Sequence, residues 1–143
     1  MQPKHLELAI TSFLRLALSA SFLSAVADRF GLWGAPGSPG VAWGNFENFV
    51  AYTGVLLGLV PTALVPLFAW VATIAETVLG IALIAHVRTR EVAFASGVLL
   101  ASFGVSMVIS VGAKAPLDYS VFTASAAAFA LMARVTPSAP RTP

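Results

Sequence analysis

The sequence predicts an all-α integral membrane protein: a four-helix bundle of spans with one short extra interfacial or re-entrant helix on the outer side. Two observations carry this expectation. Of 143 residues, 58% are hydrophobic and only 10% are charged, with mean hydropathy +0.88. Soluble domains carry about 25% charged residues, so this chain lacks the polar surface that water requires. The apolar residues also gather in runs of bilayer-crossing length, at about 8–27, 62–86, 92–112 and 117–135. The length suits a single domain, expected over 1–136, followed by a disordered tail at 137–143.

Composition excludes several chemistries. Cysteine is absent, which removes disulfides, thiolates and sulfur ligands. Both histidines, His5 and His86, lie outside the middle of any apolar run. No haem, iron–sulfur cluster or transition metal is therefore expected. The eight Lys and Arg residues are scattered, so no nucleic-acid patch is expected either.

The first run, with Lys4 ahead of it, imitates a cleavable signal peptide. Arg15 in its middle argues for a retained span instead. Residues 28–45 hold five glycines, two prolines and two tryptophans, the marks of a non-helical connection. Trp33 and Trp43 suit a membrane–water interface. Asn45 is then a fair N-cap, and Glu47 falls in the first turn, where the helix dipole favours an anion. The helix these residues open, 46–60, is short for a span and ends at Pro61. It is expected to lie in the interface, the alternative being a fifth span.

The run 62–86 is interrupted only by Glu76. Around it, Ala69, Ala72, Thr73 and Gly80 form a small-residue face at helical spacing, which lets membrane helices approach closely. The linker HVRTRE follows. The third run carries Ser102, Ser106 and Ser110 and an Ala93–Gly97–Ala101 edge. The fourth opens at Pro116 with Asp118 as a plausible N-cap, and shows a Ser120–Ala124–Ala128 seam. With four spans, Lys4, Arg88, Arg90, Arg134 and Arg141 fall on one side, against Arg29 and Lys114 on the other. The positive-inside rule then places both termini in the cytoplasm.

A carboxylate at mid-membrane is costly unless it is paired, protonated or facing a cavity. Arg15 is the expected partner, because both groups lie eight to ten residues from the cytoplasmic ends of antiparallel spans. Thr11, Ser12 and Ser19 share the face of Arg15. The intramembrane polar centre is thus expected to comprise Arg15, Glu76, Ser12, Ser19 and Thr73. It reads either as a buried ion pair that fixes helix register or as a polar, proton-bearing pocket. On the outer rim, Asp28, Arg29, Trp43, Asn45, Glu47, Lys114, Asp118 and Tyr119 form a second candidate, a mouth for a small polar ligand or a docking site. No nucleophile-and-base set or phosphate-binding glycine loop is present, so no catalytic residue is assigned.

Arg15, the FLSAVADRFGLWG exit, the NFENF-x-x-YTG segment, the AETVLGIALI core, the R-x-R turn and KAPLDYSVFTASAAAFAL together resemble the DoxX family of small bacterial membrane proteins. The resemblance covers about residues 9–133. It implies a four-helix bundle in the bacterial cytoplasmic (inner) membrane. Some relatives are subunits of thiosulfate:quinone oxidoreductase, and others are linked to detoxification complexes or membrane-protein assembly. The expected role is an accessory or structural subunit of a larger membrane complex, with other subunits or further copies of itself as partners. No cofactor is expected, with a quinone or lipid as the candidate ligand. A quinone- or lipid-binding oxidoreductase subunit and a small-solute permease are the alternatives.

Overall fold

The computed structural model describes residues 3–135, so the expected tail at 137–143 lies outside the described residues. Those residues are helical, with no strand among them: α1 (Pro3–Arg29), α2 (Phe46–Leu56), α3 (Val65–Ile84), α4 (Thr89–Val111), α5 (Lys114–Asp118) and α6 (Val121–Arg134), with one 3-10 turn at Thr62–Leu64. Three helical stretches are long and apolar enough to cross a membrane, Lys4–Arg29, Thr62–Ile84 and Thr89–Val111.

The fourth apolar run does not form the single helix expected over 117–135. Ser120, in the left-handed region at φ 55°, separates α5 from α6. Asp118 does not cap a helix; its carboxylate accepts from Lys114 one turn earlier. Pro116 is buried and anchors the short α5. The break leaves α6 at 14 residues. The segment 46–60 is also shorter than expected: α2 has 11 residues, about 16 Å at 1.5 Å per residue, roughly half the hydrocarbon thickness.

Helix α1 packs on α3 and α6, and α4 packs on α6, α3 and α2. On α3 the residue pattern is inside-out relative to a soluble helix. Its buried stripe is Val65, Ala69, Thr73, Glu76, Gly80 and Leu83, mostly small or polar. Its exposed stripe is Leu67, Val71, Ile74, Val78 and Ile81, each more than half exposed. Small residues allow close backbone approach where apolar burial supplies no driving force between helices. Gly97 and Gly104 of α4 do the same for α6: a Cβ there would fall 2.8 and 2.7 Å from the rings of Phe129 and Phe122. Ser125 donates to the Gly97 carbonyl across that seam at 2.8 Å. Ser110 donates to the Leu56 carbonyl, tying α4 to α2 at 2.9 Å. Ser102 instead bonds its own helix at Leu99.

The connection from α1 to α2 folds back on itself. Gly31 and Gly44 meet at its neck, both at positive φ, with the Gly44 carbonyl 3.0 Å from where a Gly31 Cβ would stand. A Cβ on Gly44 would lie 2.5 Å from the Pro36 nitrogen, a backbone atom that cannot swing aside. Gly44→Ala is therefore expected to cost about 2 kcal/mol or more, combining a left-handed penalty with that clash. Thermal unfolding of the detergent-solubilised protein checks this, with Gly37→Ala as the comparison, since Gly37 also has positive φ but open space around it.

Candidate functional site

Four charged side chains are buried in the helical body, Arg15, Asp28, Arg29 and Glu76, and Arg15 does not pair with Glu76. The Glu76 carboxylate is held by Arg29, the last residue of α1. Nη2 of Arg29 donates to Oε1 at 2.8 Å and to Oε2 at 2.7 Å. Nη1 donates to the Thr73 hydroxyl at 2.9 Å, which in turn donates to the Ala69 carbonyl at 2.8 Å. Arg29 and Glu76 are each 2% exposed. The pair is charge-neutral, and both carboxylate oxygens are engaged.

Helix direction explains why residues that begin at different levels meet. In each helix the Cα–Cβ bonds tilt toward its own N-terminus, and α1 and α3 run antiparallel. Arg29 therefore reaches back into the body from the end of α1, while Glu76 reaches toward the start of α3. A roof closes over them. The Arg29 guanidinium lies 3.7 Å from the Phe49 ring centroid and 5.4 Å from that of Trp43. Phe46 lies between Trp70 and Phe30, tilted against the first at 4.4 Å and stacked on the second at 5.8 Å. Asn45 builds this roof by capping α2, accepting from the Asn48 N–H at 2.8 Å. Asn48 Nδ2 donates to the Trp43 carbonyl at 2.9 Å, which places the indole. A desolvated cation over an aromatic face is worth up to about 2 kcal/mol. Phe49→Leu is thus expected to lower stability by about 1–2 kcal/mol while leaving the ion pair in place, measurable by thermal unfolding.

Arg15 serves another element. Its Nε donates to the Leu83 carbonyl at 2.8 Å and its Nη2 to the Ile84 carbonyl at 3.2 Å. The last four carbonyls of a helix lack intrahelical partners. In α3, that of Ile81 accepts from the Ala85 N–H and that of Ala82 from the Val87 N–H, around left-handed His86. Arg15 completes the set, and its positive charge faces the negative end of the helix dipole. The expected Arg15–Glu76 pair is therefore corrected on both sides. The error lay in the relative offset of the two helices. Ser19 donates to the Gly80 carbonyl at 2.8 Å, so these two residues are level. Arg15, one turn before Ser19, is then level with the residues one turn after Gly80, whereas Glu76 lies one turn before it. Helix α1 begins at Pro3, five residues ahead of the expected start, and runs past the end of α3.

The other expected site residues divide. Thr73 and Ser19 are buried and bonded as above, while Ser12 is half-buried on α1. The outer rim does not form one mouth. Asp28 and Arg29 turn into the body, Trp43 and Asn45 belong to the roof, and Glu47 is exposed on α2. Lys114 and Asp118 pair with each other on the surface, beside exposed Tyr119. Tyr52 of α2 has its phenol pushed above its ordinary range, first by burial and then by Tyr119. Phe49 and the inward role of Arg29 were missed from the sequence. The available signal was its place just past the end of an apolar run, from which an arginine can reach back along its own helix.

Compared with protein-family models, with curated proteins and with solved structures, the chain matches none.

Proposed function

We propose that this protein is a membrane-embedded accessory or structural subunit of a larger membrane assembly, of the kind the DoxX resemblance implies. In this reading α1, α3, α4 and α6 form a four-helix bundle, α2 lies at the outer interface, and both termini face the cytoplasm. The observation that carries it is the internal bonding of the charges that meet α3. Arg29, Glu76 and Thr73 bind one another, and Arg15 caps α3, so folding engages Glu76, the mid-span acid that a proton relay or transport path along α3 would need free. Large apolar side chains face outward instead, including Phe13, Leu16, Val78 and Ile109, as contact with lipid or partner subunits requires.

Mild solubilisation of native membranes followed by native mass spectrometry tests the role. The expected result is a stoichiometric complex with other membrane subunits or further copies of this chain. The purified chain alone reducing a quinone, or moving a solute into liposomes, would replace this reading with the enzyme or the permease. Topology has its own check, because the chain has no cysteine. A cysteine introduced at Thr89 is expected to react only from the cytoplasmic face; labelling solely from outside sinks the arrangement.

A further inference from the structure

Asp28 precedes Arg29 on α1 but does not join its ion pair. The Asp28 side chain is buried, at 5% exposure. Its Oδ2 accepts from the Trp43 backbone N–H at 2.7 Å. Its Oδ1 is buried with no hydrogen-bond partner among the described residues. The ion pairs among those residues leave Asp28 without a cation, and Arg29 is already neutralised by Glu76. A buried carboxylate oxygen without a donor is costly.

Asp28 lines an open cleft of about 470 Å³ between α1 and the 31–44 connection, together with Ser21, Ser24, Trp33 and Trp43. Ser21, Ser24 and Asp28 lie on one face of α1 at helical spacing. The Trp33 indole N–H donates to the Ser24 carbonyl at 3.1 Å, which fixes that ring at the cleft edge. The cleft thus combines an unbalanced carboxylate, two indole rings and two hydroxyls. Indole faces attract cations, the carboxylate supplies countercharge and an acceptor, and serine hydroxyls accept further N–H groups.

We propose that this cleft binds an organic ammonium group, with the Asp28 carboxylate as its counter-ion and Trp33 and Trp43 as its walls. Two sources present that chemistry where α1 meets its connection: a small free amine, and the ethanolamine headgroup of a lipid. This goes beyond the accessory role and does not depend on it.

The full chain in detergent is titrated with ethylammonium chloride, with potassium chloride as the ionic-strength control, and followed by tryptophan fluorescence. In a second arm it is reconstituted with phosphatidylethanolamine and phosphatidylglycerol, extracted gently, and scored for retained lipid by native mass spectrometry. Saturable binding of ethylammonium supports the site with a free amine as its source. Selective retention of phosphatidylethanolamine alone supports it with a lipid headgroup. Asp28→Asn is expected to weaken the response by about tenfold or more. Ser24→Leu, on the exposed face, is expected to block the cleft without touching the ion pair, which keeps the test informative if Asp28→Asn folds poorly. Absence of both responses in the wild-type chain, or an undiminished response in Ser24→Leu, overturns the proposal.

Discussion

Glu76→Leu alone is expected to destabilise the protein by about 3–5 kcal/mol, because it leaves the Arg29 guanidinium buried without countercharge. Arg29→Met alone should cost a similar amount by stranding the carboxylate. The double variant Arg29→Met/Glu76→Leu should recover much of the loss, since well-packed apolar groups can replace a buried pair at little net cost. SDS titration of the protein in mixed micelles measures all three. A double as unstable as the sum of the singles would show that the two groups do not act as a pair. A double that folds but loses its native complex would show that the pair also shapes a docking surface.

Arg15→Met has the second largest expected effect, and its mechanism differs. It strips the donors from the Leu83 and Ile84 carbonyls. Each buried unsatisfied group costs about 1–3 kcal/mol, so a loss of about 2–4 kcal/mol is expected. Arg15→Lys should recover part of it, since an ammonium also donates to carbonyls but lacks the planar fork. Hydrogen exchange at the C-terminal turn of α3 should rise in Arg15→Met and stay unchanged in Phe49→Leu. A cycle pairing Arg15→Met with Glu76→Leu should be additive within about 0.5 kcal/mol, as for groups with no shared partner. Coupling well above that would restore the direct Arg15–Glu76 contact.

The small-residue face around Glu76 was legible in the sequence because helical periodicity is local. Ala69, Thr73, Glu76 and Gly80 are buried together as their spacing requires. The Asn45 cap was equally legible, since a cap depends on residues three apart. The partner of Glu76 was not. Two arginines on one helix could have reached it, and choosing between them needed the axial offset of α1 against α3. That offset is a property of the packed pair, set by where Ser19 meets Gly80 and where α1 begins. An error of about seven residues along one helix is about 10 Å, more than any side chain spans.

Composition and periodicity alone determined the all-helical class, the apolar character of the long helices and the need to neutralise a buried acid. These follow from the one-dimensional order of residue types, because hydropathy and helical spacing are summed along the chain. Tertiary structure alone decided that Arg29 supplies the countercharge, that Arg15 caps α3, and that Asp28 is left unbalanced beside a cleft. Each of these depends on distances between residues remote in the chain. Helix offset and loop closure determine those distances, and neither is written in any single segment.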